Sequence, residues 1–162
     1  RNVVRQGNEM VLELGAGTGT ITRGIVEAGL PESNLVLVEL DPDMVRYLRE
    51  RFPKARVIEG DATRPLDLLP GHLVGRMDTV ISGIPALQFP LEKQRSYMDQ
   101  CFAACRPEGY VVQYTYSLKS PLPYKMLEMT GRRLGLALAN VPPAHLWRYT
   151  RGVEMPAAAA AE

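Results

Sequence analysis

The residues best placed to do chemistry in this sequence are three glycines spaced two apart in ELGAGTGT, residues 13–20. Gly15, Gly17 and Gly19 take away the Cβ atoms that would keep a ligand off the turn, and they permit positive φ where a strand reverses into a helix. Glu13 before them, with Ala16, Thr18 and Thr20 between and after, completes the lining of such a turn. A second cue is Glu39, at the end of another apolar run and followed by Leu40 and Met44, where a carboxylate can accept both hydroxyls of a ribose. A third is EGDA, residues 59–62, in which Asp61 with the backbone of Gly60 and Ala62 is placed to hold an adenine amino group. A nicotinamide dinucleotide and S-adenosylmethionine both ask for the glycine turn and the ribose acid. The third glycine comes one residue earlier than in G-x-G-x-x-G, and EGDA adds an acid, so the pattern favours S-adenosylmethionine.

These residues need a sheet to position them. MVLELG (10–15) is a short apolar run of the buried-strand type, and TGTITRGIVEAGLP continues as a helix with Ile21 and Ile25 at i, i+4 before Gly29 and Pro31 stop it. LVLVEL (35–40) is a second strand, followed by a helix with Asp41 as N-cap, Pro42 in its first position and Pro53 as terminator. ARVIEG (55–60), MDTVISG (77–83) and GYVVQYTYS (109–117) are further strands, with a helix from Leu91 to Cys105 before the last. LGLALANV and HLWRYTR form a closing pair of strands around the turn-rich PPA. Strands alternating with helices predict a parallel α/β sheet.

Composition sets bounds on what this fold can serve. The 162 residues, 46% hydrophobic and 23% charged, suit one domain, and a net charge of +1 gives no general pull toward nucleic acid. No run of about 20 apolar residues is present to span a bilayer. The longest uncharged stretch, Leu134 to Trp147, contains Pro142 and Pro143. We therefore expect a chain that is cytoplasmic, soluble or peripherally associated with a membrane, and without a metal site. Cys101 and Cys105, four apart in a helical pattern, fit neither a redox pair nor a zinc pair and read as small core thiols. Arg1 at the start and PAAAAAE at the end suggest a processed N-terminus and a loose tail over residues 153–162.

Taken in order, VLELGAGTGT, LVLVELDPDM, VIEGDA and MDTVISGIP resemble motifs I to IV of the class I S-adenosylmethionine-dependent methyltransferases, over roughly residues 10 to 90. That resemblance implies a Rossmann-like three-layer α/β sandwich, residues 1–152, with a mostly parallel seven-stranded sheet and a reversed last strand. It places the cofactor across the carboxyl ends of the first strands, in contact with Ser82 and Gly83 as well as the residues above. Adenine N-methyltransferases share motif I but carry Asn or Asp, then Pro, then an aromatic ring in motif IV. This chain has Ser82, Gly83, Ile84, Pro85 and Ala86 there, and a flat base is disfavoured. Together with VVQYTYSLKSPLP and LGLALANVPPAHLWRYTR, the loop SGIPALQFP resembles the bacterial phospholipid N-methyltransferases, which convert phosphatidylethanolamine to phosphatidylcholine. Members of that family have an additional N-terminal amphipathic helix that lies on the membrane, and this sequence shows none.

Methyl transfer from a sulfonium to nitrogen is an in-line displacement, so alignment and exclusion of water matter more than strong acids or bases. Aromatic faces suit an amine that grows with each methyl group. Tyr114 and Tyr116 share one strand face, and His145, Trp147 and Tyr149 alternate onto one face of the last strand. We expect Tyr114 and His145 at the reacting amine, Ile84, Pro85, Tyr116 and Tyr149 around the substrate, and Arg148 or Lys119 at a lipid phosphate. The competing readings are sheet packing for the tyrosines, a structural imidazole for His145 and solvated charge for Arg148 and Lys119. The acceptor is thus expected to be a phospholipid at a membrane surface, with no nucleic acid partner. The alternatives are RNA adenine methylation, an NAD-binding oxidoreductase and a catalytically silent cofactor-binding partner.

Overall fold

The computed structural model describes residues 6–115, 120–137 and 144–152. The expected tail at 153–162, the turn at Pro142 and Pro143, and the side chains of Tyr116 and Lys119 lie outside these residues. Seven strands form one sheet: β1 (Val11–Leu14), β2 (Leu35–Glu39), β3 (Arg56–Glu59), β4 (Met77–Ser82), β5 (Cys105–Thr115), β6 (Met129–Ala137) and β7 (Ala144–Arg151). Their order is β3-β2-β1-β4-β5-β7-β6. β1 to β5 run parallel, while β7 is antiparallel to both neighbours, the reversed last strand that was expected. Among the described residues four α-helices flank the sheet: α1 (Thr20–Glu27), α2 (Pro42–Arg51), α3 (Pro65–Leu68) and α4 (Leu91–Ala104).

Local chemistry sets the helix ends. Asp41 caps α2 by accepting from the N–H groups of Asp43 (2.8 Å) and Met44 (3.2 Å), and Pro42 occupies the first turn. Such a cap stabilises by about 1 kcal/mol. The central strand β1 is buried along its whole length because helices cover both faces of the sheet. On one face Val11, Leu35, Leu37 and Val112 pack against Ile25 of α1 and Leu48 of α2. On the other, Leu12, Val36, Val80 and Val111 meet Tyr97, Met98 and Phe102 of α4. The result is the expected three-layer sandwich.

Register between strands carries a correction. Thr115 lies opposite His145, Gln113 opposite Trp147 and Val111 opposite Tyr149, whereas Tyr114 lies opposite Leu146 and Val112 opposite Arg148. Directly opposed residues share a face. Tyr114 therefore lies on the α1 face, while His145, Trp147 and Tyr149 lie on the α4 face. Alternation within each strand is written locally, but the pairing that brings two strands together is not. β6 also begins at Met129 rather than Leu134. Gly131 packs there instead of breaking the strand: a Cβ on it would sit 2.7 Å from the Tyr124 ring.

Candidate active site

At the carboxyl end of β1 the three glycines divide the work. All have positive φ (75°, 54° and 70°), which only glycine adopts readily. A Cβ on Gly15 would touch Gly83 and Ile84 at 3.8 Å, bringing this turn against the loop after β4. One on Gly19 would strike the Phe52 ring at 2.5 Å and Leu48 at 3.0 Å, so that glycine lets α2 close on the turn. One on Gly17 would meet nothing within 4 Å. Of the three, Gly17 is the position where added bulk would project into free space in front of the turn. Ala16 is buried, Thr18 and Thr20 are exposed, and the two threonine hydroxyls lie 3.2 Å apart.

The acids sit around that opening in different electrostatic states. Glu39 accepts the Gly17 N–H at Oε2 (2.7 Å) and the N–H groups of Leu40 (2.8 Å) and Asp41 (3.0 Å) at Oε1. The expected ribose acid is thus also the clamp between the glycine turn and the start of α2, with one acceptor site remaining, on Oε2. Leu40 beside it is 65% exposed, an apolar face suited to a flat ring, and Met44 is half-buried on the first turn of α2. Asp61 is exposed at the end of β3, where hydrogen bonding from Thr63 (2.9 Å) holds its carboxyl below the usual carboxylate range. Gly60 N–H donates to the Glu39 carbonyl (2.9 Å), which keeps the two acidic strand ends together. A Cβ on Gly60 would collide with Leu68 at 2.5 Å, and Ala62 is buried, so these two serve packing. Glu13 differs from all of these. It is 2% exposed, accepts from the Thr22 hydroxyl (2.6 Å), and burial pushes its carboxyl up to about 7.

The loop after β4 is tied down by Ser82, expected at the cofactor, and by two glutamines, Gln113 and Gln94, that the sequence reading passed over. Ser82 is fully buried and its Oγ accepts from the Tyr97 hydroxyl (2.8 Å) and the Ile84 N–H (3.4 Å). Gln113 of β5 donates to the Ile84 carbonyl (2.8 Å), and Gln94 of α4 donates to the Phe89 carbonyl (2.8 Å). The available signal was a glutamine inside the otherwise apolar strand VVQY and another among the apolar positions of α4. Gly83 N–H donates to the Leu14 carbonyl (2.8 Å), which locks this loop to the end of β1. Ile84 is half-buried and Pro85 exposed, but Ala86 is fully buried in the α4-side core. Position 86 is packed in that core, so the lack of a ring there reflects packing.

Tyr114 reaches this junction, since a Cβ on Gly83 would lie 2.8 Å from its hydroxyl and 2.9 Å from the Gly15 carbonyl. Gly15, Gly83, Ile84 and Tyr114 therefore converge. Tyr149 does not join them. It is fully buried, its hydroxyl lies 2.7 Å from Ser120 Oγ, and its ring packs on Tyr124, so the structure puts it in the core rather than at a substrate. Arg148 stacks its guanidinium 4.2 Å from the Tyr110 ring centre on the α1 face, which takes it away from His145 and Trp147. His145 is 9% exposed near the carboxyl edge of the sheet, on the α4 face.

An open glycine face, an exposed apolar residue and two acids in this order fit an adenosine-bearing cofactor. A family model described as a methyltransferase domain matches residues 11–109. An ornithine lipid N-methyltransferase of Singulisphaera acidiphila is 36% identical over 118 residues, covering 71% of this chain and 62% of the relative. A ribosomal RNA small subunit methyltransferase A of a Synechococcus strain is 40% identical over 77 residues, 45% of this chain and 26% of that protein. The chain thus spans less than two thirds of the length of either relative. The crystal structure of the Burkholderia thailandensis 1,6-didemethyltoxoflavin-N1-methyltransferase, with 1,6-didemethyltoxoflavin and S-adenosylhomocysteine bound, superposes with a TM-score of 0.64. At 17% identity, over 90% of this chain and 72% of that one, it shows a shared fold.

Proposed function

The chain belongs to the class I S-adenosylmethionine-dependent methyltransferases, and we propose that it methylates the amine of phosphatidylethanolamine and of its mono- and dimethyl derivatives, towards phosphatidylcholine, at a membrane surface. The observation that carries this reading is the 36% identity, over 71% of the chain, to an enzyme named for N-methylation of an amine-bearing lipid. The loop SGIPALQFP agrees with it, because Ser82 and Ala86 are both buried and the side chains left near the opening, Ile84 and Pro85, are aliphatic and uncharged. A flexible headgroup fits such an opening better than a base that needs a stacking partner.

In this reading Gly17, Glu39, Leu40 and Asp61 hold the cofactor, which when bound supplies an electrophilic methyl group. The protein's own contribution is positional. The bond from Gly83 N–H to the Leu14 carbonyl and the tie from Gln113 to Ile84 fix the acceptor wall relative to the cofactor turn. Tyr114, whose hydroxyl lies at that wall, can accept an N–H of the primary or monomethyl amine and orient the nitrogen lone pair, whereas the neutral dimethyl amine has no N–H and is positioned by packing alone. The amine must arrive neutral, since a protonated amine has no lone pair to offer.

A second reading is favoured by the same relative: the acceptor is the amine of an ornithine lipid. Incubation with labelled S-adenosylmethionine and vesicles of phosphatidylethanolamine or ornithine lipid, or with ribosomal RNA, separates these acceptors. Label in phosphatidylethanolamine is expected. Label confined to ornithine lipid establishes the second reading, and label only in RNA, or in none, overturns lipid methylation.

A further inference from the structure

Among the described residues, buried side-chain atoms without a hydrogen-bond partner are Thr79 Oγ1, Gln94 Oε1, Gln113 Oε1, His145 Nδ1, Trp147 Nε1 and Arg148 Nε. A buried polar atom left unpaired is destabilising, and native proteins keep few of them. Half of these fall in one place. Gln113 lies directly opposite Trp147, and His145 follows two residues along the same face of β7. The other three are scattered: Thr79 lies lower on β4, Gln94 sits on α4, and Arg148 lies on the opposite face over Tyr110. The cluster is joined to the transfer site, because Gln113 is anchored through its amide nitrogen to the Ile84 carbonyl (2.8 Å). Ile84 in turn borders Gly15 of the cofactor turn.

We propose that Gln113, Trp147 and His145 form a headgroup subsite for a ligand that carries an amine and an anionic oxygen a few bonds apart. This rests on the lipid N-methylation proposed above and specifies how that substrate is held. An amide oxygen only accepts, an indole N–H only donates, and an imidazole nitrogen does either. A ligand that is only a cation leaves the indole unpaired, and one that is only an anion leaves the amide oxygen unpaired. An aminoalkyl phosphate ester or an amino acid headgroup satisfies both. Gln113 also suits the chemistry better than a carboxylate: a neutral oxygen accepts from an amine while favouring its protonated, unreactive form far less than a negative charge would. At 2% exposure for Gln113 and 9% for His145, the ligand's polar atoms would be shielded from water there.

The sequence contains a single tryptophan, Trp147, so intrinsic fluorescence reports on this subsite directly. The protein saturated with S-adenosylhomocysteine is titrated with phosphoethanolamine, ornithine, ethanolamine and inorganic phosphate. A saturable change is expected with phosphoethanolamine if the anionic oxygen is a phosphate ester, or with ornithine if it is a carboxylate. Ethanolamine and phosphate alone should bind at least about tenfold more weakly, each leaving a partner unmade. Gln113→Met should weaken the effective ligand about tenfold, and Trp147→Phe, which leaves the bond from Gln113 to Ile84 in place, should raise KM for the methylated lipid more than it lowers kcat. No fluorescence response to either amine-bearing ligand, or Gln113→Met titrating like the parent, overturns the subsite. A response without vesicle turnover keeps the subsite and removes the lipid reading; turnover with no response and an unaltered KM in Trp147→Phe does the reverse.

Discussion

Replacing Glu13 by Gln should flatten the pH dependence of stability between about pH 5 and pH 8, the window set by its ordinary carboxyl value of 4.5 and its value of about 7 in the fold. The side chain sits on β1 facing α1 and accepts from the Thr22 hydroxyl at 2.6 Å, an interaction the amide oxygen of Gln can keep. Burial is the main cause of the rise and the nearby Glu39 charge adds to it, while the Thr22 bond opposes both. Because the folded chain holds this proton more tightly than the unfolded chain, the stabilisation is complete below the unfolded value and is lost as pH rises through the folded one. At about 1.4 kcal/mol per unit, the loss amounts to about 3 kcal/mol by pH 8. For a domain of this size that is a fall of about 6–12 °C in melting temperature. Asp61 does not interfere, since its lowered value confines its contribution to more acidic solution. Thermal melts of the cofactor-free chain and of Glu13→Gln would be compared across the window. The two should agree near pH 5, and Glu13→Gln should be the more stable near pH 8. Parallel profiles, with the same slope in both proteins, would refute the buried neutral acid.

Other substitutions separate cofactor binding from packing. Gly17→Val should abolish S-adenosylhomocysteine binding in calorimetry while costing only about 1–2 kcal/mol of stability through its left-handed φ. Gly19→Ala should instead destabilise the fold by about 1–3 kcal/mol, because its Cβ meets Phe52 at 2.5 Å, and a melt unchanged from the parent would count against that packing. Glu39→Gln should weaken S-adenosylhomocysteine by about 1.5–3 kcal/mol, the range for hydrogen bonds to a charged group. Leu87 (57% exposed) and Leu91 (38% exposed), with Lys93 Nζ 4.4 Å from the Phe89 ring centre, give a small apolar and basic contact for a membrane. Co-sedimentation with vesicles should be weak, stronger with anionic lipid and reduced by salt, whereas quantitative salt-independent pelleting on neutral vesicles would point to a larger surface. Cys101 and Cys105 are buried, and burial pushes the Cys105 thiol up to about 12 and that of Cys101 further. Neither should react with a thiol reagent near pH 8 until the chain unfolds.

What could be read from the sequence follows the range over which each interaction acts. The cap at Asp41, the glycine turn and the apolar strands are fixed by neighbours a few residues away, and they appear where local pattern puts them. The separate duties of Gly17 and Gly19 depend on Phe52, which reaches the turn only once α2 is packed. Similarly, HLWRYTR announces which of its residues alternate, but only the register with β5 puts Tyr149 in the core and Arg148 over Tyr110. Ala86 follows the same rule, because the position read in sequence as lacking a stacking ring is packed in the α4-side core. The one long-range feature with a local mark is Gln113. A lone amide among VV and Y in a strand buried on both sides must either satisfy its hydrogen bonds or leave them for something else. Here its nitrogen is satisfied by Ile84 and its oxygen is not. A polar residue in such a run therefore marks a position where burial has been kept against its free-energy cost, and both candidate explanations, loop anchoring and ligand contact, apply to the two ends of this one side chain.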